Sequence, residues 1–341
     1  MADRAPERSV VRLLDTLMVF FAALAVALRP LVPAQGTGTD PELWVPMCVV
    51  LAAMCWLVRM ALEQRLRLAR TGVGWPMAAL LAVAAVSTLR SPHKAASVTV
   101  LLDWACYAVA FALLANLAAG RLERRFVLRL LWASAFAVCL YGLFQQFVNL
   151  PLLREQILSD PERVMRELPY LRPKDYDDLA ARAGGRIFAT FLLPNSFAGF
   201  LVLVVPGFVG HVLDRLGAGE RGRGFLAVAG AWVVVACGCL LFTYSKGGWI
   251  AFAAAGVFCV LLGRGVLRRH WRWVAAAAGG GLAAVVALFA AGVIPLRIFR
   301  DAVGSMGVRV GYWRTAWAMA RDHWLAGVGL GTFASHYNTH R

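Results

Sequence analysis

The sequence predicts an all-α fold, a polytopic transmembrane bundle of about nine helices followed by a helix in an extracytoplasmic loop. Of the 341 residues, 60% are hydrophobic and only 16% are charged. Soluble domains contain roughly 25% charged residues. The apolar residues also occur in runs of about 17 to 25, the length that crosses about 30 Å of hydrocarbon. The bilayer is therefore the expected solvent for most of the chain.

Nine apolar runs are the predicted spans. In order, they are Val11–Leu28, Val45–Leu62, Val73–Leu89, Val98–Ala119, Phe126–Val148, Ile187–Leu213, Phe225–Thr243, Gly247–Leu262 and Val274–Ile294. Residues 1–294 form the predicted bundle, and residues 295–341 begin a large extracytoplasmic loop that does not cross back.

The basic residues predict the orientation of the bundle. They cluster in the N-terminal tail and in residues 59–70, 121–129, 214–223 and 264–272, whereas the short loops on the other side hold only Arg29, Arg90, Lys94 and Lys246. Because positive loops stay in the cytoplasm, the N-terminus is predicted to be cytoplasmic. Residues 8–34 also have the basic start and apolar middle of a signal peptide, but the length of the run and Asp15 within it favour a span.

Two outer segments are too long for their charge to indicate the side of the membrane on which they lie. A catalytic or binding site is expected in these segments. The first, Asn149–Arg186, mixes both signs of charge, as a solvated helical loop does. In the second, Pro295–Arg341, glycines interrupt residues 298–311, and a helix is expected over Tyr312–Trp324. Its residues Trp313, Trp317, Ala320 and Trp324 share one face, with Arg314 and Arg321 at the edge of that face. This pattern predicts an interfacial helix on the outer leaflet.

Composition also argues against two other classes of function. The net charge of +16 does not indicate a nucleic-acid partner, because the basic residues punctuate apolar runs instead of forming a surface stripe. The seven cysteines all lie inside apolar runs without a CxxC pair. Neither a metal site, a cofactor nor a disulfide framework is therefore predicted.

Three stretches stand out when they are taken together. They are GRIFATFLLPN at residues 185–195, YSKGG at residues 244–248, and RVGYW at residues 309–313 continuing to GVGLGTF at residues 327–333. In order and in their shared outer placement, they resemble the O-antigen ligase/polymerase superfamily over roughly residues 100–341. The resemblance implies a bacterial inner-membrane, metal-independent, inverting glycosyltransferase with an extracytoplasmic active face. Its partners would be membrane lipids, a glycan on undecaprenyl diphosphate, and lipid A core or a growing saccharide as acceptor.

The resemblance also implies roles for individual residues. Arginines at the positions of Arg186 and Arg309 hold the lipid diphosphate, and a histidine further along the loop activates the acceptor hydroxyl. The chain ends at Arg341, before the usual histidine region, so we expect it to be C-terminally incomplete. His336 and His340 are the nearest candidates for the catalytic base, although neither has the expected Asn-Asp-Tyr-type context.

The chemistry of these residues allows alternatives. The guanidinium of Arg186 can fork onto two phosphate oxygens, or it can anchor a helix end by snorkelling. Arg309 would precede the Trp-faced helix by one turn, where helix N-termini attract anions. Lys246, in a tight hairpin, would contact phosphate or anchor the interface. Pro194 with Asn195 would kink the sixth span, either to open a lumen for the lipid-linked sugar or as a structural bend.

The predicted function is transfer of a glycan from undecaprenyl diphosphate, with two arginines stabilising the departing diphosphate. A flippase or transporter of a lipid-linked saccharide is the first alternative, because a kinked span and a basic mouth would also serve it. An inactive fragment of the ligase family is the second.

Overall fold

A computed structural model describes residues 4–33, 43–64, 68–159, 185–191, 193–219, 222–262, 297–324 and 327–337, together with single residues at 283 and 287. Helices account for most of these residues, and there is no strand among them. The helices are α1 (Arg4–Leu28), α2 (Trp44–Glu63), α3 (Gly74–Arg90), α4 (Lys94–Leu117), α5 (Arg121–Phe144), a π-helix (Gln145–Asn149), α6 (Leu150–Ser159), α7 (Pro194–Gly217), α8 (Arg223–Phe242), α9 (Lys246–Leu262), α10 (Arg297–Asp322) and α11 (Phe333–Tyr337). The all-α class is confirmed.

Six helical stretches of the described chain are long and apolar enough to cross a membrane. They are Ser9–Leu28, Trp44–Glu63, Lys94–Leu117, Leu122–Ser159, Pro194–Gly217 and Arg223–Phe242. Two shorter apolar helices, Gly74–Arg90 and Lys246–Cys259, occupy two more of the predicted spans. The ninth, Val274–Ile294, lies almost entirely outside the described residues, so nine spans are not confirmed.

The contacts between helices divide the chain into two compact units. The first comprises Met1–Arg29, Thr39–Leu130 and Phe299–Arg341, and the second comprises Pro30–Gly38 and Leu131–Ile298. The predicted boundary at residue 294 stays a prediction. Within the first unit, the segment after α10 contacts the start of α4.

In the first unit, α1, α2 and α4 pack through a core rich in small side chains. Its buried members are Met18, Ala22, Ala25, Cys48, Val49, Ala52, Trp56, Leu113 and Leu117. Small residues let apolar helices approach closely where the surrounding lipid gives no hydrophobic driving force. Asp15 in α1 pairs with Arg59 in α2, with Oδ1 2.8 Å from Nε. This pair gives Asp15 the partner that a carboxylate inside an apolar run needs.

In the second unit, α7 packs against α8 and α9. Phe197 and Leu201 of α7 are fully buried. The Nε1–H of Trp232 in α8 donates to the carbonyl oxygen of Trp132 at 3.0 Å. A Cβ added to Gly248 would lie 2.7 Å from Cβ of Ala198, so this glycine allows α9 to approach α7 closely.

The predicted kink at Pro194 is wrong. Pro194 is the first residue of α7, and Leu193 before it is extended, with φ −125° and ψ 137°. Proline fits the first position of a helix because no helical acceptor awaits its missing N–H there, and it keeps the preceding residue extended. The proline therefore frees no carbonyl inside a helix, and Asn195 is exposed instead of satisfying one. The interior proline of α7 is Pro206.

Two more boundaries differ from prediction. The outer loop expected from Asn149 begins as helix, because the fifth span continues through the π-helix into α6 as far as Ser159. The loop helix expected over Tyr312–Trp324 is the longer α10, from Arg297 to Asp322. Single glycines cost a helix only about 1 kcal/mol each, and the glycines of this segment do not interrupt it.

The predicted aromatic face of α10 is present. Trp313 and Trp317, and Trp324 just after the helix, are 63%, 75% and 78% exposed. Thr315 and Met319, on the opposite side of the helix, are buried. An exposed apolar face bordered by arginines is suited to the outer leaflet, and the interfacial placement stays a prediction.

Candidate functional site

The first of the three stretches forms a non-helical segment in the second unit. Residues 185–190 precede α7 and lie beside the end of α8, where the N–H of Ile187 donates to the carbonyl oxygen of Phe242 at 3.2 Å. Ile187 is fully buried. Thr190 Oγ1 donates to the carbonyl oxygen of Pro30. The segment is therefore held at both ends by backbone acceptors.

The side chain of Arg186 extends from this segment and is held by a hydrogen bond to a described residue. Its Nε–H donates to the carbonyl oxygen of Thr243 at 3.1 Å. No carboxylate of the described residues lies within ion-pair distance of its guanidinium. Partial burial lowers the pKa of Arg186 from its ordinary value. Its side chain is nonetheless exposed. A guanidinium with no carboxylate beside it among the described residues is suited to bind an oxyanion, and its two terminal nitrogens provide the fork for phosphate.

The second stretch forms the turn between α8 and α9 and contacts the first stretch directly. Thr243, which accepts from Arg186, is fully buried. Ser245 caps α9, because its Oγ accepts from the N–H of Gly248 at 3.2 Å. Tyr244 between them has a φ of 48°, a left-handed conformation that costs a non-glycine residue of order 1 kcal/mol. The cap and the left-handed residue together fix the backbone conformation of this turn.

Lys246 is the first residue of α9 and is half-buried. It makes no ion pair with any residue that the structure describes. A cation at a helix N-terminus opposes the helix dipole. A bound anion would offset that repulsion, so the predicted phosphate contact and the interfacial anchor both stay open.

The third stretch lies in the first unit, and its placement corrects the prediction for Arg309. This residue is exposed in the middle of α10, not one turn before a helix. The anion attraction of a helix N-terminus therefore does not apply to it. Arg309 instead lies on the exposed side of α10 that carries Trp313 and Trp317, because residues four apart share a face.

The turn at residues 327–332 docks on the start of α4. Gly327, Gly329 and Gly331 all have positive φ, at 65°, 102° and 70°. Ser97 Oγ lies 2.8 Å from both the carbonyl oxygen of Leu330 and Ser91 Oγ. A Cβ added to Gly329 would lie 2.6 Å from Cβ of Ser91. Only glycine fits this backbone at this distance.

His336 follows the turn in α11, and His340 lies outside the described residues. The Nδ1 of His336 is 3.1 Å from the carbonyl oxygen of Thr332. Its ring is edge-on to that of His93, with centroids 6.5 Å apart. Because a carbonyl oxygen only accepts, the contact with Thr332 fits the tautomer that carries its proton on Nδ1, in which Nε2 is the acceptor nitrogen.

The comparisons with known proteins bear on this arrangement. Residues 231–341 match the model of the family described as O-antigen ligase. The match covers about a third of the chain and is to its C-terminal part. No curated protein and no solved structure matches it. The family match contains the second and third stretches, while Arg186, Pro194 and Asn195 lie before it.

One residue that supports the first stretch was missed by the sequence analysis. Gln145 in the π-helix is only 3% exposed, and its Oε1 accepts from the N–H groups of Phe188 and Ala189, both at 2.9 Å. It thereby fixes the segment that carries Arg186. A signal was present, because a Gln-Gln pair inside an apolar run is expensive unless it has a role. π-Helices also occur frequently at functional sites.

Replacing Gln145 with leucine is expected to destabilise the protein by about 2 to 4 kcal/mol, since one buried and one partly buried N–H group lose their acceptor. Thermal unfolding of the detergent-purified protein measures the effect. Gln156→Leu in the exposed part of α6 is the matched control and should unfold like the wild type. Equal unfolding temperatures for the two variants would show that Gln145 does not hold the segment.

Proposed function

We propose that this protein transfers a glycan from undecaprenyl diphosphate to lipid A core or to a growing polysaccharide. The observation that carries the proposal is Arg186, whose guanidinium is tethered to Thr243 yet has no carboxylate partner in the described chain. The match of residues 231–341 to the O-antigen ligase family model supports a lipid-linked glycan as the substrate class. The departing group of such a donor is a diphosphate, the anion that a forked cation binds best.

The proposed reaction is a single inverting displacement. The acceptor hydroxyl attacks the anomeric carbon on the side opposite the diphosphate, the bond from carbon to the diphosphate oxygen breaks, and the hydroxyl proton passes to a base. Negative charge grows on the diphosphate in the transition state, where Arg186 stabilises it more than in the ground state. The Thr243 tether holds the guanidinium in place beforehand, so little reorganisation is needed during the reaction.

His336 is the described candidate for the base, because its Nδ1–H donates to Thr332 and Nε2 can accept a proton. Lys246 would add a second cation near the donor. Pro194 and Asn195 would border the entry for the lipid-linked sugar, with the extended segment before α7 taking the place of the predicted kink. These roles remain predictions.

Arg309 is predicted to bind the lipid diphosphate in its own right. Arg309→Ala is expected to lower the rate of glycan transfer about tenfold or more, because a charge-assisted hydrogen bond contributes roughly 1.5 to 3 kcal/mol. The assay is glycan transfer by the protein reconstituted in proteoliposomes. Arg321→Ala is the matched control, since Arg321 is exposed on the same helix and contacts only the adjacent Asp322 among described residues. Equal rates in both variants would indicate that Arg309 contacts lipid headgroups and does not bind the diphosphate.

Deleting the gene at its native locus tests the function as a whole. A transferase acting on the outer face predicts loss of the long-chain glycan ladder and accumulation of undecaprenyl-diphosphate-linked glycan in the outer leaflet. In spheroplasts, an added lectin detects that glycan without permeabilisation. Accumulation that needs permeabilisation would identify a flippase instead. An unchanged ladder together with unchanged lipid-linked glycan would contradict both functions.

A further inference from the structure

A cleft of about 630 Å³ opens beside the segment that carries Arg186. Its polar lining consists of Gln146, Arg154, Glu155 and Ser159, and Gly185 forms part of its wall. All of these residues belong to the second unit. Ligand pockets in proteins usually enclose about 300 to 1,000 Å³. The cleft is therefore large enough for one or two sugar rings.

The amide of Gln146 indicates that a polar ligand belongs in the cleft. Its Oε1 is buried and has no hydrogen-bond partner among the described residues. An unsatisfied buried polar atom carries a desolvation cost that a ligand hydroxyl would relieve. Exchanging the amide oxygen and nitrogen would leave a buried donor in the same place, so the argument does not depend on how the amide is oriented. Its neighbour Gln145 fixes the π-helix that presents it.

The charges in the cleft distinguish a sugar from a phosphate. Among the described lining residues, Arg154 and Glu155 contribute one positive and one negative side chain, so this part of the lining carries no excess charge to attract an anion. Ser159 donates its hydroxyl proton to the carbonyl oxygen of Gln156 and keeps acceptor capacity. A mixture of donors and acceptors matches the hydroxyl and acetamido groups of a saccharide, each of which both gives and receives hydrogen bonds.

The position of the cleft relates it to the donor. Gly185 lines the cleft and is the covalent neighbour of Arg186, so their Cα atoms are about 3.8 Å apart. In a lipid-linked glycan, the first sugar is likewise the direct neighbour of the diphosphate. We propose that this cleft binds the saccharide next to the diphosphate of the lipid-linked donor, with the Gln146 amide hydrogen-bonded to a sugar substituent. This inference rests on the proposed function, which places the diphosphate at Arg186.

A binding experiment separates the saccharide from the diphosphate. The complete chain is reconstituted in nanodiscs, and the dissociation constants of two probes are measured, undecaprenyl diphosphate and undecaprenyl-diphosphate N-acetylglucosamine. The wild type should bind the glycosylated probe about tenfold more tightly, the increment expected of a satisfied buried hydrogen bond. Gln146→Leu should lose this preference and bind the two probes equally, while its affinity for undecaprenyl diphosphate stays unchanged. Gln156→Leu, in the adjoining helix α6 and outside the cleft, is the matched control and should keep the preference.

Two further measurements keep the outcomes distinct. Glu155→Ala changes an exposed residue of α6 and should weaken binding of the glycosylated probe alone, which covers the case in which Gln146→Leu fails to fold. A wild type without preference, or a preference that survives in both Gln146→Leu and Glu155→Ala, would overturn the saccharide assignment. Failure of the proposed function has a different signature, because the wild type would then bind neither probe or Arg186→Ala would leave both affinities unchanged.

Discussion

Arg186→Ala is expected to lower the rate of glycan transfer by about 100-fold to 1,000-fold, the usual effect of removing one preorganised donor to developing negative charge. The physical reason is the arrangement of its nitrogens. Nε–H donates to the Thr243 carbonyl oxygen, which orients the guanidinium and leaves its two terminal nitrogens without a hydrogen-bond partner among the described residues. Alanine removes both the positive charge and the hydrogen bond that orients it. The measurement is initial rate in proteoliposomes with a saturating acceptor.

Arg186→Lys is the informative companion variant. Lysine keeps the charge but has a single nitrogen, which cannot both hold the Thr243 carbonyl and fork onto phosphate. We expect it to recover less than a tenth of the wild-type rate. Arg215→Ala, a change outside the site beside Phe225, controls for general loss of protein from the membrane. A rate for Arg186→Ala within threefold of that of Arg215→Ala would refute the role of Arg186.

Gly329→Ala is expected to destabilise the first unit by about 3 kcal/mol or more. Gly329 has a φ of 102°, which a residue with a side chain rarely adopts, and that strain alone costs about 1 to 3 kcal/mol. The new Cβ would also lie 2.4 Å from Ser91 Oγ, so the turn would have to leave the Ser91–Ser97 surface. Differential scanning fluorimetry and limited proteolysis after residue 324 both report this change.

Gly307→Ala provides a control of the same chemistry in α10. Nothing lies within 4 Å of an added Cβ there, and the backbone is helical. This change should raise stability by about 0.5 to 1 kcal/mol, because alanine favours a helix over glycine. Similar stability of the Gly329→Ala and Gly307→Ala variants would show that the glycine-rich turn is not docked on Ser91.

The fold was predictable where a single periodicity decides it. The apolar runs of membrane-spanning length that the structure describes are largely helical, and the face shared by Trp313, Trp317 and Trp324 is exposed as the 3.6-residue repeat requires. Errors arose where one residue type has two uses. Pro194 begins a helix although proline can also kink one, and the glycines before Arg309 lie within α10 although glycine can also end a helix. Local sequence does not distinguish these uses, because neighbouring packing decides between them.

The candidate site was predictable only in part, for a similar reason. Arg186 stood out because its residue type fits a diphosphate, but Thr243, which aims it, is 57 residues away. Gln145 reaches backbone groups more than 40 residues later in the chain. Such pairings depend on tertiary structure, and one sequence contains no local pattern that reports them. The same holds for the cleft beside Gly185, which exists only once α6 and the segment before α7 have come together.

The hydrogen bond from Ser97 to Leu330 joins residues 233 positions apart, and this separation has a consequence for how the protein is made. A nascent chain emerges from the N-terminus at about 5 to 20 residues per second. The receiving surface at Ser91 and Ser97 is therefore synthesised at least about ten seconds before the glycine-rich turn exists. During that interval, the hydroxyl of Ser97, near the start of α4, lacks the Leu330 carbonyl oxygen as an acceptor. Biogenesis factors that shield unfinished helical hairpins would thus find their longest opportunity at this surface.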